Sequence, residues 1–141
     1  MVKLSQVPVG ALVVCEIFHL FEHTGIYIGE GQIVELQGTG LVRSVSVKRF
    51  MDNRSGEELM VACDSRGQPF GSLAAAERAS SQIFTYQEYD LIQNNCHRFC
   101  GHCYTGLYWP VTSFFDLRQL LEQQLRQKIS FKKVWLDAWR T

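Results

Sequence analysis

The chain has 141 residues, 46% hydrophobic and 20% charged, which suits one compact domain and excludes wholesale disorder. Fourteen Lys and Arg balance fourteen Asp and Glu, against the basic excess of a dedicated nucleic-acid binder. The longest apolar run, residues 7–20, is broken by Glu16 and His19 and falls short of the roughly 18 residues that span a bilayer. The start Met1-Val2-Lys3-Leu4-Ser5 lacks the pattern of a secretory signal. Cys15, Cys63, Cys96, Cys100 and Cys103 form an odd set without disulfide-framework spacing, so free thiols in the cytoplasm are expected.

Pro8-Val9-Gly10 reads as a turn into a buried strand over residues 11–18. Two β-prone runs, 23–28 and 32–37, flank Gly29-Glu30-Gly31 and predict a hairpin. Residues 41–47 and 58–63 predict two further strands, with a turn at Asp52-Asn53-Arg54-Ser55-Gly56 between them. Helices follow. Ser72 caps one running to about residue 83, with Leu73, Ala76 and Ile83 as its apolar stripe. Asn94-Asn95 cap a second from Cys96 to about Tyr104, closed by Gly106. Ser113 opens a third, with Asp116 in the capping-box position and Phe114, Leu117, Leu121 and Leu125 at helical spacing. Residues 131–139 predict a short fourth helix. Strands first and helices later indicate an α+β domain, with a core over about residues 7–107 and C-terminal helices over 113–139.

Three groups of residues bear on chemistry. Cys96-His97-x-x-Cys100-x-His102-Cys103 offers soft metal ligands, but zinc sites draw ligand pairs from separated segments and no second pair exists, so no metal is expected. Cys100 and Cys103 read as buried structural thiols. Cys96 opens a helix, where first-turn N–H groups and the helix dipole favour thiolate over thiol. A thiolate nucleophile needs a base. His97 and His102 lie too near along the helix, and His19 sits in an apolar run. His23 begins a strand beside glycines that keep its surroundings open. The hairpin then decides what orients His23. A three-residue Gly29-Glu30-Gly31 loop sets His23 opposite Gln37 and Gly25 opposite Glu35, with Glu35 diagonal to His23 on one face. A two-residue Glu30-Gly31 loop turns Glu35 to the other face.

Residues 23–35, His-Thr-Gly-Ile-Tyr-Ile-Gly-Glu-Gly-Gln-Ile-Val-Glu, resemble the histidine box of the lecithin:retinol acyltransferase-like family, H-x-G/A-x-Y-x-G-x-G-x-x-x-H. Asn94-Asn95-Cys96-His97-Arg98-Phe99 resembles its N-C-x-x-F nucleophile motif, and residues 7–14 its opening strand. Residues 45–50 and Glu77-Arg78-Ala79 fall where that family has a strand-to-helix segment and an R-A helix. The resemblance covers about residues 7–107, and the stretch Cys103-Tyr104-Thr105-Gly106 looks most like the short bacterial members. It implies a circularly permuted papain-like, NlpC-related fold, in which the sheet bearing the histidine precedes the helix bearing the nucleophile. It implies that Cys96 is the nucleophile, His23 its base and Glu35 the group that orients the imidazole. The family usually has His where this chain has Glu35; a carboxylate can serve the same purpose, and Gln37 is the alternative orienter.

The expected activity is that of a thiol hydrolase or acyltransferase acting on an ester, thioester or amide of a lipid or peptide through an acyl-thioester. The backbone N–H of Cys96 would hold the oxyanion, with the Asn95 side chain as a second candidate donor. No cofactor is required, and no nucleic-acid partner is expected. Phe131, Val134, Trp135, Ala138 and Trp139, interleaved with Lys132, Lys133 and Arg140, would as a helix either pack on the domain or make transient contact with a membrane surface. The alternative function is an inactive interaction module on the same fold.

Overall fold

The computed structural model describes residues 1–17, 21–52, 58–90 and 95–136. Its elements, in chain order, are β1 (Val2–Lys3), a 3-10 turn (Leu4–Gln6), β2 (Ala11–Ile17), β3 (Phe21–Gly29), β4 (Gln32–Leu36), β5 (Val42–Ser46), α1 (Val47–Met51), β6 (Leu59–Cys63), α2 (Leu73–Ser81), α3 (Cys96–Thr105), α4 (Phe114–Leu125) and β7 (Ser130–Trp135). The strands form one sheet in the order β1-β7-β6-β2-β3-β4-β5, antiparallel except for the β1–β7 pair. The expected α+β class is what forms.

Alternation along the strands gives the sheet two apolar faces. Leu12, Ile26, Val34, Leu36, Val42 and Ala62 pack against Ala75, Ala79, Phe99, Cys100, Cys103 and Leu117 of α2, α3 and α4. On the other face Val13, Tyr27, Ile33, Val45 and Val61 pack with Val47 and Phe50 of α1. Cys100 and Cys103 are fully buried core thiols, and burial pushes Cys103 up to about 12.

Two expectations are corrected. Residues 131–135 form β7, which pairs with β6 from Leu59↔Val134 to Cys63↔Ser130, instead of starting a fourth helix. The spacing of Phe131, Val134 and Trp135 fits a helix; pairing with a strand distant in sequence overrides it and sends Phe131 and Val134 to opposite faces of the sheet. Of the segment read as a helix, Ala138, Trp139 and Arg140 lie outside the described residues. In α2 the buried positions are Ala75, Ala76 and Ala79, whereas Leu73 is 70% exposed. The small alanines let the helix approach the sheet and α3 closely. The turn expected around residue 54 falls largely outside the described residues, as do His19 and Asn94.

Candidate active site

The hairpin combines both loop geometries considered for it. Glu30 and Gly31 form a two-residue tip, both at positive φ (55° and 72°) as a type I′ turn requires, and Gly29 pairs with Gln32. A bulge between Tyr27 and Gly29 then shifts the register, so that Tyr27 faces Ile33 and Ile26 faces Val34. That register carries Glu35 to the His23 side. His23 Nε2 lies 2.7 Å from Glu35 Oε1, both side chains buried. Gln37 is not at the ring: its Oε1 accepts from the Thr39 hydroxyl at 3.1 Å in the following turn.

Glu35 is anchored from behind. Directly opposite it on β5 is Arg43, whose Nε donates to Oε2 at 2.7 Å. A carboxylate with no exposure is tolerable only with its charge paired and its lone pairs used, and here each oxygen has a partner. Burial works against its ionised form, but the bonds from His23 and Arg43 outweigh it and hold Glu35 below the usual carboxylate range.

The surroundings of His23 are filled. A Cβ on Gly25 would stand 2.7 Å from Ile33 Cγ2 and 2.8 Å from Phe50 Cε1, so the missing side chain makes room for Phe50. The Phe50 ring stacks on His23 at 4.8 Å. The glycine fixes the imidazole by admitting an aromatic neighbour, a role different from the openness expected of it.

The thiol arrives from α3. Asn95 is the N-cap, its Oδ1 accepting from the N–H groups of His97 (3.0 Å) and Arg98 (3.2 Å), as the sequence predicts. Its Nδ2 donates to the Thr112 carbonyl at 2.7 Å, which ties the segment after α3 to the helix start. The Asn95 side chain is thus a cap and a tether, engaged at both ends. Gly106 closes the helix at φ 81°.

Cys96, the first residue of α3, is buried beside His23, whose charge and bonding capacity act on the sulfur. His23 Nε2 being held by Glu35, its Nδ1 is the nitrogen left for the sulfur. Burial alone would raise the thiol, yet the hydrogen bonds and charges of His23 and His97 bring it well below the ordinary thiol value. Burial likewise disfavours a charged His23, but its bonds to Cys96 and Glu35 prevail and raise it above 6.5. Polarised in this way, sulfur and imidazole favour thiolate and imidazolium. Cys100, one turn on, is raised by burial and by neighbouring Cys103 and stays a thiol. His102 lies elsewhere, stacked on Tyr108 at 3.9 Å.

Sequence reasoning missed Arg43, Phe50 and His97. The signal for Arg43 was present, because pairing 32–37 with 41–47 through the Gly38-Thr39-Gly40 turn sets opposite charges face to face.

A thiol at a helix start beside an imidazole, itself bonded to a carboxylate that an arginine holds, has the composition of thiol-nucleophile sites. The sequence model of the family described as lecithin retinol acyltransferase matches residues 5–109, so the chain belongs to that family, whose members are generally acyltransferases or hydrolases. None of the curated proteins matches the chain. Among the described residues no helix is long and apolar enough to cross a membrane.

Proposed function

We propose that the protein is a cysteine-nucleophile hydrolase or acyltransferase acting on an ester, thioester or amide of a lipid or peptide. The observation that carries the reading is the succession Cys96–His23–Glu35–Arg43, in which a buried ion pair polarises the imidazole and the imidazole polarises the thiol. The Cys96 thiolate attacks the acyl carbon, a C–S bond forms, and the bond to the leaving oxygen, sulfur or nitrogen breaks as His23 gives up its proton to it. Water, an alcohol or an amine then attacks the thioester, its proton passes to His23, and the sulfur departs as thiolate.

Phe99 N–H bonds the Asn95 carbonyl, and those of His97 and Arg98 bond the Asn95 side chain. The Cys96 N–H is the first-turn donor that Asn95 does not engage, and we assign it to the developing oxyanion. We also read the order of elements, histidine-bearing strands before the nucleophile-bearing helix, as a circular permutation of the papain-like, NlpC-related arrangement. The inactive-module alternative would leave the polarised buried thiol without a task.

The test is to treat the protein with a limiting amount of an activated acyl ester and read the adduct by intact mass and site mapping. A single acyl group on Cys96, lost in His23→Ala, is expected. Labelling scattered over the thiols, or none, overturns the proposal.

A further inference from the structure

We infer that His97 is a second partner of the Cys96 sulfur, one that keeps it ionised and aimed whether or not His23 carries its proton. The inference rests on the reading of Cys96 as nucleophile. Two successive residues of β3 meet two successive residues of α3: His23 meets Cys96, and Thr24 meets His97. His97 Nδ1 lies 3.1 Å from Thr24 Oγ1 and 3.9 Å from Cys96 Sγ. The imidazole is buried, its backbone N–H is tied to Asn95 Oδ1 at 3.0 Å, and the Phe114 ring packs near it at 6.2 Å. A ring fixed by Thr24, Phe114 and the helix cap is not free to turn away from the sulfur.

The tautomer that suits a thiolate has its hydrogen on Nδ1. That N–H is shared between Thr24 Oγ1 and the sulfur, which leaves the Thr24 hydroxyl its own hydrogen to turn toward Cys100, the buried thiol that Thr24 acts on. Every member then has a role consistent with its neighbours, and Cys100, a neutral thiol, needs no proton moved. The ionisable groups facing Cys96 are His23 from the sheet, with Glu35 and Arg43 behind it, and His97 and Cys100 from its own helix. In the second half-reaction the acceptor's proton goes to His23, and the departing sulfur meets the Nδ1–H of His97.

The experiment is the pH profile of Cys96 alkylation by iodoacetamide, followed by peptide mass, in the full chain. His97→Ala is expected to raise the apparent pKa of Cys96 by about one unit, roughly a tenfold loss of thiolate on the acid limb. His97→Asn, whose amide N–H can stand near Nδ1, should recover most of the shift, and His97→Ala should act in the same direction on a His23→Ala background. Superimposed profiles for His97→Ala and the parent overturn the inference, as does an Asn variant no better than Ala, which would reduce His97 to packing. Where His97→Ala does not fold, Thr24→Val replaces it, and an unchanged profile there overturns it equally. The readout uses no acyl substrate. Failed acyl capture with an intact alkylation shift would therefore remove the proposed function and leave this inference standing.

Discussion

Glu35 ties the strands to the chemistry, because one oxygen holds His23 and the other holds Arg43. Arg43→Met would leave Oε2 buried and unpaired. The expected cost is about 2–3 kcal/mol by urea unfolding, below the 3–5 typical of a fully buried pair, since Arg43 remains partly exposed. Glu35→Gln keeps an acceptor for His23 but removes the charge that favours imidazolium. Turnover of an activated ester should fall roughly 10²–10⁴-fold, the range for a disabled acid–base group. The alkaline limb of the rate profile, set by His23, should move to lower pH; a rate profile unchanged in both respects would contradict the role given to the carboxylate. The pairing of His23 with Glu35 was half legible in sequence: the three-residue register predicts it, but the two-residue tip that forms would turn Glu35 away, and the bulge between Tyr27 and Gly29 restores the register. His97 was not. Adjacent helical side chains diverge by about 100°, so a neighbour of the nucleophile reads as pointing away. Thr24 and Phe114, from other elements, hold its ring near the sulfur.

Hairpin β3–β4 and helix α3 are the two elements that aim the site, and each depends on one residue at its end. Glu30 stands at φ 55°, a left-handed conformation that disfavours Glu and suits Asn. Glu30→Asn should stabilise the protein by about 1 kcal/mol or less, read as a higher melting temperature, with activity unchanged because the register is kept. Asn95→Ala removes the two cap bonds and the tether to Thr112. It should cost about 1–2 kcal/mol and slow alkylation of Cys96, since the first turn frays where the sulfur sits. Asn95→Asp retains the cap acceptor but sets its second oxygen against the Thr112 carbonyl and a negative charge beside the thiolate. It should therefore keep the cap's share of the stability, lose the tether's, and slow alkylation. Caps and turn were readable from sequence because each is local. β7 was not, because residues 131–135 satisfy the helical period and are decided by pairing with β6 across the chain.

Across the whole molecule the site sits where two faces of one sheet meet different partners. α1 supplies Phe50 from one side and α3 supplies Cys96 and His97 from the other, so folding and the ionisation of the site are linked. The strand order that permits this joins β1 to β7 and β2 to β6, contacts between distant segments that no local pattern in the sequence carries. The linkage has a definite sign. Glu35 is held below its ordinary value of 4.5, so its contribution to stability is present in full above that value. It is lost as pH falls through the lower folded-state value. His23 is raised above 6.5, so its contribution is full below that pH and fades as pH rises through the raised value. Cys96 is lowered, so its contribution grows as pH climbs toward the ordinary thiol value of 9.0, offsetting the His23 loss. Urea unfolding against pH should therefore be nearly level from neutrality into the mildly alkaline range and fall on acidification. Glu35→Gln separates this site from the other carboxylates: it should be less stable than the parent at pH 7 and lose less on acidification. The two curves should converge once the parent's Glu35 is protonated, because a neutral carboxyl and an amide then face the same partners. Parallel curves, with the gap at neutral pH persisting in acid, would mean that the Glu35 charge contributes nothing to the fold.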